Sequence, residues 1–530
     1  MKFKKYYKYL LMGAACLATV SCEDLDTLNV DPNNPVNVPS NMLMNGAEKW
    51  IVDNVYDNWF SGRQCLVYSQ YWAQRNYTEE DRYQIRESTN NGYFNYLYMG
   101  MNNLKRVIEL NTNDETKAAN SAYGANCNQI AAATILRMWL MQVITDTWGN
   151  VPYTEIGKME SEGVIYCKYD DQKEIYAGMM QELKEAVNMI DESQEAFTSG
   201  DVIFGGDASK WKKFGNSLIC RLAVHQSKVD PNWKSYIAEA VASGVFESND
   251  DAATFKYSTT GSDYCAFYSG ILSRNDFTIT KQFVDLLAGT KDDLNGKDHP
   301  WEGVVDPRLE IFTLPSSDGS YKGMPYGIPS SLSAAGRVGT SNWKSNGLAG
   351  VPCFMRADYA VPLMTFAELK FILSEYKDFD ATEYKEGVQA SLEYWAAING
   401  SEIPADEVTA YVDAVSQQVD AEAVAVQKYI DLYTNGTEAW TEIRRTGYPE
   451  QLVRPGEISA VLNGEEVKFE PLNEVKDDLI ARVKYPTNES TLNGANWQEA
   501  VANLQDGTNN YYSKMFWDVR TSTYDHPANK

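Results

Sequence analysis

Apolar residues recur at intervals of three and four along much of this chain, and this spacing constrains the fold more than any other feature of the sequence. It is clearest in residues 173–191, where the recurring positions are Ile175, Tyr176, Met179, Leu183, Val187 and Ile190. Such spacing places one apolar face along an α-helix, and Asp170 or Asp171 is available to cap its N-terminus. Residues 129–147 are apolar on nearly every side, which predicts a helix buried in the core.

The same spacing predicts helices through most of the chain. The further segments are 41–58, 94–110, 207–228, 232–243, 361–377, 382–397, 405–417 and 420–443. Successive helices of this kind favour antiparallel pairs, each burying a face against the next, as in tetratricopeptide arrays. We therefore predict a mostly α fold with a tetratricopeptide-like scaffold, irregular because no period of roughly 34 residues is visible. About four helix pairs are expected, near 94–147, 173–228, 361–397 and 405–443.

Residues 245–360 have a different composition. They are rich in Gly, Ser, Asp, Tyr and Pro and show few helical periods. Long irregular segments inside a compact protein usually carry function. We therefore predict one folded body over residues 41–530, in which the loop-rich, irregular part at about 245–360 contributes to ligand binding.

Residues 1–21 have the pattern of a secretory signal peptide, with four lysines followed by an apolar run over residues 10–20. That run is too short to span a membrane. Small residues precede Cys22, as at the cleavage site of a bacterial lipoprotein, so we predict that Cys22 is acylated and held in lipid. An ordinary signal peptide with an unmodified Cys22 is the alternative. Residues 22–40 are rich in Pro, Asn and acidic residues and are predicted to form a flexible tether.

The overall charge and the cysteine spacing exclude several classes of function. The chain has 47 Lys and Arg against 73 Asp and Glu, a net charge of −26, which disfavours binding to nucleic acid. It has three histidines and no CxxC pair, which argues against a zinc site. Several cysteines lie in apolar helical segments, where a buried thiol is expected. An exported protein can also form a disulfide, but the sequence does not identify which two cysteines would pair.

No catalytic signature is present in the sequence. It contains neither a GxSxG nucleophile elbow nor an HExxH zinc motif, and nothing in it selects one pair of carboxylates as a glycosidase pair. His225 lies in an apolar helical segment and is interpreted as a packed core residue. Residues 291–299 have the composition of a calcium loop but lack its ligand spacing, so we interpret them as an acidic loop and predict no cofactor or metal.

Three local motifs point to a known family. They are DTWGNVPY at 146–153, NGTEAWTEIRRTGYP at 435–449, and RVKYP at 482–486 followed by Asn488 and Glu489. Together with Cys22 and NVDPNNP at 29–35, they resemble the SusD/RagB family of nutrient-binding outer-membrane lipoproteins, and most closely its SusD-like branch. The resemblance extends over essentially the whole mature chain. The motifs themselves are interpreted as scaffold, with Arg444 and Arg445 offsetting a helix dipole.

The resemblance implies a function as well as a fold. Such proteins lie on the cell surface, anchored in the outer membrane through the acylated cysteine, here Cys22. They act as a lid over a SusC-like TonB-dependent transporter, and they capture oligosaccharides or oligopeptides without cleaving them. The implied partners are therefore the transporter, the ligand and the lipid of the outer membrane, with no nucleic acid.

A sugar-binding site needs aromatic planes for the apolar faces of the rings and polar partners for the hydroxyls. Residues 71–83 interleave both kinds of side chain, at a position similar to that of the family's ligand loops. We expect exposed rings there and in the loop-rich part. The candidate ligand-binding residues are Trp72, Asn76, Tyr77, Arg82, Tyr83, Trp301, Tyr326 and Trp343.

Three alternatives stay open at the level of the sequence. An oligopeptide ligand would use backbone hydrogen bonds and depend less on stacking planes. A surface hydrolase would need a carboxylate pair or a nucleophile in a cleft, and a purely structural helical protein would have no ligand pocket. The acidity of the chain disfavours anionic glycans and permits neutral sugars or basic peptides.

Overall fold

The computed structural model describes residues 38–57, 59–260, 263–341, 343 and 351–529. The predicted signal peptide, Cys22 and most of the predicted tether lie outside these residues. Most of the buried apolar side chains of the described part form a single hydrophobic core. A smaller second cluster lies between residues 367 and 424.

Helices dominate the described part of the chain, so the prediction of a mostly α fold is confirmed. The helices of seven residues or more are α1 Ser40–Val55, α2 Glu87–Thr112, α3 Asn126–Trp148, α4 Gln172–Met189, α5 Ala208–His225, α6 Trp233–Ser243, α7 Ala266–Ser273, α8 Lys281–Leu287, α9 Phe366–Tyr376, α10 Ala381–Asn399, α11 Ala405–Val415, α12 Ala421–Asp431, α13 Gly436–Thr446 and α14 Gly494–Ala502. Neighbours in sequence pack on one another: α1 on α2, α2 on α3, α3 on α4, α4 on α5 and α9 on α10. This serial packing is the tetratricopeptide-like scaffold.

Shorter helical pieces connect these helices. They are the π-helical turn Ser61–Cys65, the α-helical turns Leu66–Tyr68, Lys117–Asn120, Met159–Glu162, Leu309–Phe312, Ser333–Gly336 and Glu489–Leu492, and the 3-10 turns Ser121–Tyr123, Asn249–Asp251, Ser330–Leu332, Cys353–Met355, Gln505–Gly507 and Pro527–Asn529. Among the described residues, no helix combines the length and the apolar content that crossing a membrane requires.

Side-chain caps explain where several helices begin. Asp171 accepts a hydrogen bond from the backbone N–H of Lys173 at the start of α4. Asp207 caps α5 in the same way, and Asn435 caps α13. Each cap satisfies a backbone donor that has no partner within its helix. At the other end of α3, Gly149 has a φ of +86°, which breaks the helix within the DTWGNVPY motif.

The strands form three small antiparallel sheets. Their bounds are β1 Trp72–Gln74, β2 Ala253–Lys256, β3 Phe277–Ile279, β4 Ala360–Met364, β5 Ile458–Leu462 and β6 Glu465–Lys468. β1 pairs with β3, β2 with β4, and β5 with β6. In the first sheet Trp72 lies opposite Ile279, and Gln74 lies opposite Phe277. This pairing joins the segment after α1 to a part of the chain about two hundred residues further on.

Two predicted helices are wrong in extent. The segment 420–443 is two helices, α12 and α13, because Thr434 takes a φ of +74° between them. The segment 361–377 begins as strand β4, and its helix starts only after Thr365, which caps α9. Pro362 lies in that strand, and proline cannot donate the backbone hydrogen bond of a helix interior. Apolar spacing alone did not reveal either break.

The helix α13, which carries the EAWTEIRRT part of the second motif, is buried along its whole length. Arg445 donates to both oxygens of Glu375 at 2.7 Å and to Glu442 at 2.8 and 2.9 Å. Arg444 stacks over Trp440 at 3.6 Å and donates to the carbonyl oxygens of Asp146 and Ala481. The two arginines therefore connect helices, in addition to lying at a helix C-terminus.

The cysteines of the described part are free thiols: Cys65, Cys127, Cys167, Cys220, Cys265 and Cys353. Burial raises the pKa of Cys65 and Cys220 far above its ordinary value, so both thiols stay protonated. They act as small apolar side chains in the core.

Candidate functional site

A cleft of about 210 Å³ opens beside the sheet of β1 and β3. A second hollow of about 180 Å³ continues from it. Four side chains line both parts, so we treat them as one cleft: Trp59, Arg63, Arg274 and Asp276. The first part is also lined by Trp72, Phe267, Phe277 and Trp343, and the second by Gln74, Asn76, Tyr77 and Arg86.

The turn after α1 points Trp59 outward and Phe60 inward. The carboxylate of Asp57 accepts the backbone N–H groups of Trp59 and Phe60, which fixes the turn. Phe60 is buried and stacks on Tyr93, with ring centroids 3.6 Å apart. Trp59 keeps 43% of its surface exposed. Burial raises the pKa of Asp57 to about 6, partly offset by these hydrogen bonds and by the charge of Arg63.

Arg63 lies behind Trp59, on the π-helical turn. Its guanidinium lies 3.7 Å from the centroid of the Trp59 ring, a cation–π contact that fixes the plane of the indole. Its Nη1 is 3.4 Å from Glu80, whose carboxylate is 3.1 Å from Nε of Arg86. Glu80 is buried and also accepts from the side chain of Gln74 at 2.7 Å. The wall of the cleft is therefore held by paired charges.

The opposite wall comes from the residues before β3. The side chains of Arg274 and Asp276 form an ion pair at the cleft. The backbone carbonyl of Asp276 accepts the N–H of Arg75 at 2.6 Å, which extends the β1–β3 pairing by one residue. Because strand pairing fixes the distance between the two segments, the walls of the cleft keep a set separation.

Tyr77 lies at the outer edge of the cleft and is 61% exposed. Its φ of +55° turns the chain out of β1. The neighbouring Asn76 accepts a hydrogen bond from Arg337, which also donates to the carbonyl of Arg75 at 3.1 Å. The loop that carries Tyr77 is therefore tied to residues 333–341.

The expectation of exposed rings is wrong for four of the candidate residues. Trp72 and Trp343 are 1% exposed, and Tyr83 and Tyr326 are fully buried. Trp72 packs against Phe267, Phe277, Trp343 and Phe354, with centroids 5.1 to 6.1 Å apart. Its indole and that of Trp343 still form part of the cleft wall.

The remaining candidates lie outside the cleft. Tyr83 and Tyr326 both pack against Phe469 in the core. Arg82 donates to the backbone carbonyl of Glu470 at 2.9 Å, a structural contact. Trp301 is half-buried and packs where the two hydrophobic clusters meet. Of the eight candidates, the structure thus brings together Trp72, Asn76, Tyr77 and Trp343.

Sequence reasoning missed Trp59, Arg63, Arg274 and Asp276. A signal was present in the first case, because Trp59 and Arg63 flank Gly62 in a short segment between two helical patterns. Such a break places side chains at a surface, where exposed aromatics and arginines are typical of binding sites. For Arg274 and Asp276 no local pattern identifies the partner strand.

A cluster of His225, Glu438 and Glu442 offers three atoms within 4.8 Å of one another, close enough to hold a metal ion. His225 is buried, with Nε2 2.9 Å from Glu438 and Nδ1 3.1 Å from the Tyr176 hydroxyl. Positive charge is already supplied there by Lys428, 3.3 Å from Glu442, and by Arg221, 3.8 Å from Glu438. We therefore interpret the cluster as a buried charge network of the scaffold.

Comparisons with known proteins agree with this fold. The sequence matches the SusD-like family described as "Starch-binding associating with outer membrane" over residues 32–469. No curated protein matches the sequence.

Solved structures with the same fold were also found. A chitin-binding protein aligns with a TM-score of 0.70 and 23% identity, over 89% of this chain and 100% of its own. A SusD homologue from Parabacteroides distasonis has a TM-score of 0.72 and 22% identity, over 91% and 98% of the two chains. A chitin-binding SusD homologue from Flavobacterium johnsoniae aligns with a TM-score of 0.70 and 20% identity, over 91% of this chain and 99% of its own. With the fold shared and the family match covering most of its length, this chain belongs to the SusD/RagB family.

Proposed function

We propose that this chain is a surface lipoprotein, anchored through Cys22, that captures oligosaccharides. It passes them, as a lid, to a SusC-like TonB-dependent transporter in the outer membrane and does not cleave them. The family description and the two chitin-binding relatives support a carbohydrate ligand. The observation that carries the proposal is the cleft, which presents the ring of Trp59 to solvent beside polar side chains.

The geometry of Trp59 suits a sugar ring. The guanidinium of Arg63 stacks on the indole and holds it in one plane, so little side-chain entropy is lost when a ligand packs on the exposed part. The axial hydrogens of a sugar form an apolar face that such a plane accepts. Arg274, which is paired with Asp276 at the same cleft, supplies a donor for hydroxyl groups.

The charges at the cleft support binding without cleavage. A glycosidase needs two carboxyl groups that reach opposite sides of the scissile bond. Here Asp276 is paired with Arg274, and Glu80 with Arg63 and Arg86. Both carboxylates are therefore occupied in positioning the arginines.

The proposal is tested by calorimetry on residues 23–530 with chitin and starch oligosaccharides. Trp59→Ala is expected to weaken binding at least about tenfold, because it removes the stacking plane. The control is Tyr166→Ala, an aromatic of similar type that is 65% exposed and lies outside the cleft. It should leave both the affinity and the melting temperature unchanged.

Three outcomes would contradict the proposal. Binding of oligopeptides without binding of sugars would show that the ligand is a peptide. Release of shorter sugars by the purified chain would show a hydrolase. Full affinity in the Trp59→Ala variant would show that the sugar binds elsewhere.

A further inference from the structure

Three guanidinium groups converge on the cleft, although the chain as a whole is acidic. Among the described residues, Arg63, Arg86 and Arg274 line it with one carboxylate, Asp276, and Glu80 pairs with Arg63 and Arg86 without lining the cleft. Burial lowers the pKa of Arg63, and the nearby charges of Arg86 and Arg274 lower it further, against the opposing effects of Glu80 and Asp276. The charges of Arg86 and Arg274 therefore both act on the guanidinium of Arg63.

Two buried donors at the cleft have no acceptor among the residues that the structure describes. Arg63 is 6% exposed and Trp343 is 1% exposed. The Nε–H of Arg63 and the indole N–H of Trp343 both have no hydrogen-bond partner. A buried donor without a partner is costly and rare in folded proteins. Both N–H groups are enclosed by protein, and they add two unpaired donors to the wall of the cleft.

Three side-chain acceptors at the same cleft already have a partner in the protein. The side-chain oxygen of Gln74 accepts from the backbone N–H of Glu80 at 3.1 Å. The side-chain oxygen of Asn76 accepts from Arg337, and Asp276 is paired with Arg274. A hydroxyl group offers a donor and an acceptor together, whereas a carboxylate or a sulfate offers only acceptors. A group with acceptors alone therefore matches a wall lined by three guanidinium groups better.

We propose that the oligosaccharide bound in this cleft is acidic, with a carboxylate or sulfate seated against Arg63, Arg86 and Arg274 and a sugar ring on Trp59. This inference rests on the proposed function and specifies the class of its ligand. The net charge of −26 repels anions over the surface as a whole. Within the cleft, guanidinium groups at contact distance outweigh that screened repulsion, because charge-assisted hydrogen bonds act at short range.

Matched pairs of ligands test the inference on residues 23–530. One pair is a trisaccharide of galacturonic acid and the same trisaccharide with its carboxyl groups reduced. The other is chitobiose 6-sulfate and unsulfated chitobiose. The acidic member of at least one pair should bind about tenfold more tightly, and the difference should shrink in 0.5 M salt (about 4 Å Debye length). The pair that responds distinguishes carboxylate from sulfate.

Two exposed arginines provide variants that preserve the fold. Arg86→Gln and Arg274→Gln should each weaken binding of the acidic ligand about fivefold or more, and Arg86→Gln should leave the neutral ligand within twofold. Arg106→Gln is the control, because Arg106 is half-exposed and paired with Glu109 at 3.3 Å on α2, outside the cleft. It should change neither affinity.

The outcomes separate this inference from the proposed function. If the neutral members bind as tightly as the acidic ones, and Trp59→Ala abolishes binding, the inference is overturned and the proposed function stands. If no sugar of either class binds, both are overturned. Binding of acidic peptides without binding of sugars would also overturn both.

Discussion

Trp59 and Trp72 line the same cleft but offer a ligand different surfaces. Trp59 stands on a turn whose other aromatic, Phe60, is anchored in the core, so its ring is left partly open to solvent. Trp72 is in a strand, enclosed by rings from distant parts of the chain, and donates its N–H to the hydroxyl of Tyr433 at 3.2 Å. At the scale of single residues, the packing around a tryptophan therefore determines whether its ring is available to a ligand.

Glu422, which lies outside the cleft, shows how neighbouring charges shift the pKa of a side chain. Burial, together with the charges of Glu450 and Asp420, raises the pKa of Glu422 to about 7. This folded-state value lies above that of the unfolded chain, so ionisation of Glu422 lowers the free energy of unfolding as the pH rises from about 4.5 to about 7.

Glu422→Gln should therefore stabilise the protein at pH 8 and have little effect at pH 4. We expect a gain of about 1 kcal/mol in the free energy of unfolding at pH 8, after allowing for solvent screening of this partly exposed group. Urea denaturation at both pH values measures it. Glu402→Gln, at an exposed position, should change stability by less than about 0.5 kcal/mol at either pH. An equal gain from Glu422→Gln at both pH values would refute this explanation.

At the scale of elements, α13 supports the turn that carries Arg63. Its first residue, Gly436, packs directly against the backbone of Cys65 and Leu66. A Cβ added at Gly436 would lie 2.7 Å from the backbone nitrogen of Leu66 and 2.8 Å from the carbonyl carbon of Cys65. The carbonyl of Gly436 also accepts the hydroxyl of Ser69 at 3.1 Å. The motif in α13 thus acts on the site by positioning the segment 61–69.

Gly436→Ala should push the two elements apart. We expect the free energy of unfolding to fall by about 1–3 kcal/mol, since backbone atoms cannot move aside as a flexible side chain can. Gly494→Ala is the matched control, because Gly494 is also the first residue of a helix and a Cβ added there would meet no described atom within 4 Å. Thermal and urea unfolding compare the two variants. Equal stability of both would show that the close approach at Gly436 relaxes without cost.

At the scale of the whole molecule, buried ion pairs join helices that are distant in sequence. Arg221 on α5 is held by both oxygens of Glu368 on α9, at 2.6 and 2.7 Å. Arg445 on α13 bridges Glu442 and Glu375. Burial alone would raise the pKa of Glu442, but Arg445 and Lys428 lower it to about 2. Because this value lies below that of the unfolded chain, the stabilisation is present above about pH 4.5 and is lost as the pH falls towards 2.

Arg445→Met should therefore destabilise the protein by about 3 kcal/mol at pH 7, because the buried Glu442 and the partly buried Glu375 both lose the guanidinium that pairs with them. The loss should be smaller at pH 3, where these carboxylates of the variant take up protons. Lys184→Met, which removes a surface pair with Glu239, should cost less than about 1 kcal/mol. Denaturation at both pH values gives the comparison. A loss that does not change with pH would mean that Arg445 contributes mainly through packing.

The sequence was a good guide to the scaffold and a poor one to the site. Helical spacing located α3, α4 and α5 to within a few residues, because one apolar face is a local pattern. It did not separate α12 from α13, where a single backbone torsion makes the break. Which aromatic rings are buried depends on contacts such as Trp72 with Phe267 and Trp343, which no local pattern encodes.

The pairing of β1 with β3 has a consequence for how such a protein diversifies. Most of the cleft wall comes from two short strips, at residues 59–77 and 267–277, and Arg86, Trp343 and Met355 complete it. Substitutions in these strips can alter which nutrient is accepted without disturbing the helical frame. A change of ligand preference therefore requires only a handful of codon changes in these strips, while the rest of the gene stays as it is.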